Sequence, residues 1–189
     1  RPTLLPAQRA HALFELGQDY MKAGLFDRAE TLFGELVESS PHSEQALEYL
    51  LDIYQQEKDW EQAIITANRL QAATDEQMKN EIAHYYCELA IDAKVKISSE
   101  QATRFLKRAL AIDRNSVRAS LLQGKWESET GNHKAAVKHY RHIKEQDPAF
   151  ISEALPGLLF CYQQLNAEAE LITFLRECLV VKPNMAIIL

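Results

Sequence analysis

The stretch from residue 10 to residue 43 sets a pattern that recurs along most of the 189-residue chain. Its apolar, small and helix-ending residues stand at fixed offsets, at Leu13, Leu16, Gly17, Tyr20, Ala29, Phe33 and Pro41. A period of about 34 residues with these offsets predicts a unit of two antiparallel helices. Gly17 is the small residue that close helix packing needs, and Gly24 is suited to end the first helix with a positive φ.

The same spacing predicts five repeats, at 10–43, 44–77, 83–116, 117–150 and 152–185. Gly124 falls where Gly17 fell, and Ala136 falls where Ala29 fell. Five extra residues, at 78–82, precede the third repeat and predict a longer first helix there, over about 76–95. We expect residues 1–9 to form an irregular lead-in and residues 186–189 to begin a further, truncated helix.

These repeats predict an all-α fold, a tetratricopeptide-repeat solenoid. Because one helix pair cannot bury its own apolar face, neighbouring pairs must stack. We therefore expect a right-handed superhelix of antiparallel helix pairs, with the first helix of each pair lining a concave groove. Asp27, Asp59, Thr74 and Ser98 are predicted helix caps because each precedes a polar residue three positions on.

Two residues of the fifth repeat depart from the pattern. Leu171 stands where a small residue is expected, which predicts a splayed or rotated helix pair. Pro156 is compatible with its helix only close to the start, because proline lacks a backbone N–H.

Composition limits the classes of partner. The formal net charge is −6, and no dense run of lysine and arginine indicates a nucleic-acid interface. No apolar run reaches the length of a membrane-spanning helix, so we expect no direct membrane insertion by this segment. The chain starts at Arg1 and ends in the apolar segment Met185–Leu189, and we expect both ends to be cuts in a longer protein. That last segment is predicted to cap the fifth repeat; a homodimer contact is the alternative.

The sequence contains no recognisable catalytic set, phosphate-binding glycine loop or nucleophile elbow. His139 and His142, with His133 before them, have a spacing that either a metal site or a solvated helix face can use. Cys87 and Cys161 either face the groove as reactive thiols or, like Cys178, lie in the core as small apolar residues. No CxxC motif is present. We predict no catalytic, cofactor or metal residues in this chain.

The predicted groove is the most informative candidate site. Its lining residues come from fixed offsets on the first helix of each pair: Phe14, Gln18, Met21, Glu48, Asp52, Gln55, His84, Ile91, Arg118, Leu121, Lys125, Phe160 and Gln163. The clamp that some repeat proteins use for acidic peptide ends needs lysine, arginine and asparagine. Phe14, Gln18 and Tyr49 stand there instead, so that clamp is absent. A groove with apolar ends and an acidic and amide middle suits a peptide, a protein surface or another part of the same chain.

The stretch 12–30, ALFELGQDYMKAGLFDRAE, and the stretch Gly124–Glu127, GKWE, carry a specific resemblance. They are similar to the cytoplasmic repeat domain of the lipopolysaccharide assembly protein B family of enteric bacteria. The resemblance implies an N-terminal membrane helix before the repeats. It also implies a C-terminal rubredoxin-like domain after them, which carries iron or zinc on four cysteines and packs on the repeats. None of the three cysteines here maps onto those ligands.

The resemblance also implies a function. The family is a non-enzymatic adaptor at the cytoplasmic face of the bacterial inner membrane, where it regulates lipopolysaccharide synthesis. It promotes degradation of the lipid A deacetylase by a membrane AAA protease, and an inner-membrane regulator relieves this activity. The alternative is a generic scaffold that assembles envelope-biosynthesis enzymes without a role in proteolysis.

Overall fold

The computed structural model describes residues 5–39, 43–74 and 77–181. Within these ranges the chain forms helices and no strand, which confirms the all-α tetratricopeptide-repeat fold. The helices are α1 (Pro6–Lys22), α2 (Phe26–Ser39), α3 (Ser43–Glu57), α4 (Trp60–Thr74), α5 (Lys79–Lys96), α6 (Ser99–Ile112), α7 (Val117–Glu129), α8 (His133–Gln146), α9 (Ile151–Gln164) and α10 (Glu168–Val181), with a short 3-10 turn at Pro148–Phe150. They divide into two compact units, residues 1–85 and residues 86–189.

The first unit is held together by aromatic rings that enter gaps left by small residues. Phe33 of α2 is fully buried, and its ring lies where a Cβ on Gly17 of α1 would be, 2.8 Å from the built position. Phe33 also stacks on Tyr49 of α3, with ring centroids 4.9 Å apart. The predicted close approach of α1 and α2 at Gly17 is therefore observed, and the same ring joins the first pair to the second.

The second unit repeats this arrangement with a tyrosine between two glycines. Tyr140 of α8 is buried, and its ring lies 2.5 Å from a Cβ built on Gly124 of α7. On its other side the ring is equally close to a Cβ built on Gly157 of α9. The core around it continues through Leu158, Cys161, Tyr162, Leu171, Phe174 and Cys178. Tyr140 thus fixes the spacing of three consecutive helices.

The turn inside four of the helix pairs has one conformation. Gly24, Lys58, Gly131 and Asn166 all have positive φ, between 50° and 82°. The next residue then bonds back to the preceding helix, as when Asp59 N–H donates to the Tyr54 carbonyl at 2.9 Å. This is the αL end of a helix for which glycine is best suited. Lys58 is a costly residue at such a position because its Cβ crowds the backbone.

We expect Lys58→Gly to raise the free energy of unfolding by about 0.5–1 kcal/mol, because the left-handed conformation penalises a Cβ. A urea titration followed by circular dichroism measures the change. Gly24→Ala is the matched control and should lower stability by a similar amount. A loss of stability in Lys58→Gly would contradict the turn geometry described here.

Two of the four predicted caps are confirmed. Asp59 accepts a hydrogen bond from Gln62 N–H at 3.1 Å, and Ser98 accepts one from Gln101 N–H at 3.2 Å. The other two are wrong. Asp27 lies inside the first turn of α2, which begins at Phe26, and Thr74 is the last residue of α4. Before α5, the Gln71 side chain instead accepts from Met78 N–H at 3.1 Å.

Several predicted boundaries also shift. The lead-in is shorter than residues 1–9, because Pro6 is the first residue of α1, where its missing N–H costs nothing. The long first helix of the third repeat begins at Lys79, later than predicted, and ends at Lys96. Pro156 is the sixth residue of α9, deeper than expected, so the Ser152 carbonyl receives no bond from it. The predictions for Pro41, Glu76 and residues 182–189 lie outside the described residues.

Candidate functional site

In the first unit, two predicted groove residues belong to the packing. Phe14 is buried, and its ring meets the rings of Phe33 and Tyr49 edge-on at 5.9 and 5.6 Å. Gln18 is half-buried and donates a hydrogen bond to the Tyr49 hydroxyl at 2.8 Å. Met21 is half-buried beside them on α1. The structure therefore assigns Phe14 to the core, and Gln18 joins α1 to α3.

The α3 helix presents a row of polar side chains. Glu48, Asp52 and Gln55 are all exposed, at spacings of four and three residues, so they lie on one face of the helix. His84 on α5 is exposed as well, and its ring lies edge-on to Tyr85 at 6.1 Å. We call Glu48, Asp52 and Gln55 the acidic row. It offers carboxylate and amide oxygens as hydrogen-bond acceptors.

More carboxylates gather near the turns of the same unit. The Tyr54 hydroxyl donates a hydrogen bond to Glu30 at 2.7 Å, and burial together with this carboxylate raises the pKa of Tyr54. Burial and the neighbouring Asp27, Glu30 and Asp59 also raise the pKa of Glu57. Burial, with help from Glu81 and Asp52, raises the pKa of Tyr85 to about 12. The potential of this unit is therefore negative where its polar face is exposed.

In the second unit, ion pairs join the first helices of neighbouring pairs. Arg118 on α7 pairs with Glu88 on α5, and Lys94 on α5 pairs with Glu129 on α7. Between them, Ile91 and Leu121 are half-buried. This part of the predicted groove is engaged in contacts within the unit rather than free.

The remaining predicted groove residues lie further along α7 and on α9. Lys125 and Gln163 are exposed. Phe160 is 48% exposed, and its ring meets His133 edge-on at 5.6 Å. They provide a mixed polar and apolar surface in the second unit.

The cysteines are core residues. Cys87, Cys161 and Cys178 are all buried and unpaired with one another. Burial raises the pKa of Cys87 to about 11 and raises that of Cys178 as well, which suppresses the reactive thiolate. The reactive-thiol alternative for Cys87 and Cys161 is therefore disfavoured. The three thiols also do not fit a four-cysteine metal site.

The histidines of α8 have separate neighbours. His142 Nδ1 lies 2.9 Å from Glu145 Oε2, whereas His133 packs on Phe160. His139 is half-buried, and that burial lowers its pKa. Across the described ranges, no three histidine, cysteine, aspartate or glutamate residues are grouped as metal ligands would be. None of the helices in those ranges is both long and apolar enough to cross a membrane.

Sequence reasoning missed Gln123 and Trp126. Both lie on α7 within two residues of Gly124, on the side that faces α6 of the preceding pair and α8 of their own pair. The Lys94 ammonium lies over the Trp126 ring, 4.6 Å from its centroid. A signal was available, since a tryptophan two residues after the packing glycine has no counterpart in the first repeat.

Comparison with known proteins agrees with this geometry. The tetratricopeptide repeat family matches residues 14–77. A crystal structure of MamA protein has a TM-score of 0.53 and 20% identity, covering 94% of this chain and 93% of its own, which shows the fold alone. The chain therefore has the all-α tetratricopeptide-repeat fold.

The more specific similarity is to lipopolysaccharide assembly protein B. This chain is 39% identical to that protein of Escherichia coli strain K12 over 170 residues, or 90% of the chain. It is 35% identical to the Haemophilus influenzae protein of the same name over 84% of the chain. The resemblance found in the sequence is thus confirmed. The chain spans 44% of the E. coli protein and 40% of the H. influenzae protein.

Proposed function

We propose that this chain is a non-enzymatic adaptor that controls lipopolysaccharide synthesis by binding proteins. It would act at the cytoplasmic face of the inner membrane and bring the lipid A deacetylase to a membrane AAA protease, with an inner-membrane regulator relieving the effect. The acidic row carries this proposal: three exposed acceptors on one helix face, on a repeat scaffold similar to lipopolysaccharide assembly protein B.

The chemistry of the acidic row favours a partner with a basic surface. Glu48 and Asp52 lie in a unit whose turns hold Glu30 and Glu57, so an approaching cation meets a field of one sign. Complementary charge of this kind speeds the encounter of the two proteins and fixes the register of their complex more than it increases their affinity. We therefore expect the contact made by α3 to weaken strongly with salt.

The test is capture of the purified deacetylase and protease by the full chain. We expect Glu48→Gln/Asp52→Asn to weaken deacetylase binding about fivefold at low salt, because two rim charges are lost. Glu35→Gln/Glu38→Gln, on α2, removes the same charge and should bind like the unchanged protein. If both double variants bind equally well, the acidic row is not the contact.

A generic scaffold for envelope-biosynthesis enzymes is the second candidate, favoured by the exposed polar faces in both compact units. The half-life of the deacetylase in cells separates the two. An adaptor for proteolysis requires that half-life to lengthen when the gene is deleted. An unchanged half-life of the deacetylase would favour the generic scaffold.

We also propose a location for the metal that the family likeness implies. We place iron or zinc in a rubredoxin-like domain rather than among the residues of this chain, whose three cysteines are free and buried in the core. A dimer contact through residues 185–189 stays the alternative to a simple cap.

A further inference from the structure

The second unit carries an excess of positive charge on the outer side of α6 and α8. These two helices hold seven lysine and arginine residues and two glutamates, in a chain whose formal net charge is −6. Both pack on α7, and Gln146 of α8 donates to the carbonyls of Arg114 and Ser116, just after α6, at 2.8 and 3.4 Å. As second helices of stacked repeats they lie side by side, so their exposed sides form one surface.

The cations of this surface occupy equivalent positions on the two helices. Each helix buries its other side in the core. The outer positions follow the 34-residue period, so Arg104 corresponds to Lys138 and Lys107 corresponds to Arg141. The same two positions of α2, in the first unit, hold a threonine and a glycine, so the repeat fold does not require cations there. We call the cations on the outer side the basic face: Arg104, Lys107, Arg108, Lys134, Lys138 and Arg141.

Most of the charge on the basic face is not neutralised within the chain. Lys107, Lys134 and Lys138 are exposed and form no ion pair in the described ranges. Arg104 pairs with Glu100 at 2.6 Å, but both side chains are exposed, so the pair is weak and exchanges readily with solvent. The other glutamate of the two helices, Glu145, lies at the far end of α8.

Aromatic rings rather than carboxylates position the two remaining arginines. Arg108 Cζ lies 5.5 Å from the centroid of the Tyr86 ring, and Arg141 Cζ lies 4.7 Å from that of Phe174. Arg141 also donates to the Tyr162 hydroxyl at 3.2 Å. These contacts fix the guanidinium groups and leave their charge in place. Beyond α8 the positive surface ends, because α10 exposes glutamates at Glu168, Glu170 and Glu177.

The side chains of the basic face favour a lipid surface over a protein partner. A protein interface draws most of its affinity from a buried apolar or aromatic core. The largest apolar side chain exposed on α6 and α8 is that of Ala111. Anionic lipid head groups need no such core, because they attract lysine and arginine at short range through charge alone.

We propose that the basic face docks on an anionic lipid surface and holds the second unit against a membrane without inserting into it. This inference rests on the proposed function, which puts the chain at the inner membrane, and it adds a contact made by the repeats themselves. The negative net charge of the chain does not prevent docking. At physiological ionic strength, charges more than about 8 Å away are largely screened, so the nearest side chains dominate.

The test is sedimentation of the full chain with phosphatidylcholine vesicles that contain or lack phosphatidylglycerol. We expect binding to the vesicles that contain phosphatidylglycerol, and weaker binding as the salt concentration rises. Lys107→Gln/Lys134→Gln/Lys138→Gln should weaken this binding about tenfold or more, because three charges close to the lipid are lost. Absence of binding to phosphatidylglycerol at low salt would overturn the proposal.

Two further triple variants separate the basic face from net charge and from misfolding. Lys22→Gln/Lys58→Gln/Lys79→Gln removes the same charge from exposed positions of the first unit and should bind like the unchanged chain. Arginine at residues 107, 134 and 138 keeps the charge and should also bind like the unchanged chain. Equal losses in the two glutamine variants would mean that net charge alone governs binding, which would overturn the basic face as the contact.

Two competing partners complete the test. Tighter binding of duplex DNA than of phosphatidylglycerol vesicles, at equal phosphate concentration, would make this a nucleic-acid surface and overturn the lipid assignment. The glutamine variant of the basic face should still capture the purified deacetylase, because the acidic row is intact. If the unchanged chain captures the deacetylase but binds no vesicles, lipid docking alone is overturned; the reverse result overturns the proposed function alone.

Discussion

Replacing Phe33 by alanine should destabilise the first unit by about 3–5 kcal/mol, the range for a large aromatic residue removed from a packed core. The ring is fully buried, stacks on Tyr49 at 4.9 Å and meets Phe14 edge-on at 5.9 Å. It also fills the space left by Gly17, so alanine leaves a cavity that three helices border. Urea unfolding followed by circular dichroism measures the loss.

Leu16→Ala is the matched control, because Leu16 belongs to the same repeat pattern but is 42% exposed. It should cost well under the Phe33 value, about 0.5 kcal/mol or less, as for surface substitutions. Equal losses in the two variants would mean that the first unit is not organised around the Phe33 ring.

The sequence predicted contacts well where one period determines them. Gly17 meets Phe33, and Gly124 meets Tyr140, at the offsets expected from the repeat. These contacts could be predicted because the two partners lie in one helix pair, where their spacing along the chain places them opposite each other. The contact of Tyr140 with Gly157 joins neighbouring repeats, so it depends on how the pairs stack and was not predicted.

The wrong cap at Asp27 has a related cause. Asp27 has a side chain suited to capping, and the prediction rested on that chemistry. The position of the cap is determined instead by the turn that precedes the helix. Gly24 takes a positive φ, Leu25 N–H bonds back to the Tyr20 carbonyl at 2.9 Å, and α2 begins at once. Asp59 stands 34 residues after Leu25 and directly precedes α4, so in the second repeat the residue with capping chemistry also occupies the position that the turn determines.

The sequence predicted exposure correctly for the polar side chains of α3. Glu48, Asp52 and Gln55 recur at spacings of four and three residues, so they share one exposed helix face. Phe14 was expected in the groove but lies in the core, because the rings of two other helices enclose it. The contact of Lys94 with Trp126 was missed for the same reason: it joins α5 to α7, and no spacing along the chain reports that two neighbouring pairs meet there.

Gly124→Ala should lower the free energy of unfolding by about 2 kcal/mol. A helix interior normally gains up to about 1 kcal/mol when alanine replaces glycine. Here the new Cβ would lie 2.5 Å from the Tyr140 ring, and overpacking of this kind costs about 1–3 kcal/mol or more. The ring cannot move away freely, because Gly157 confines it on the opposite side. The urea midpoint of the full chain reports the change.

Two variants separate this clash from a general intolerance of alanine. Gly34→Ala lies in α2 with nothing within 4 Å of its built Cβ, so it should gain stability by up to about 1 kcal/mol. Tyr140→Leu removes the ring, so adding Gly124→Ala to it should cost much less than in the unchanged chain. That difference is the coupling between the two residues. If Gly124→Ala costs the same with or without the ring, Tyr140 is not what fixes the spacing of α7, α8 and α9.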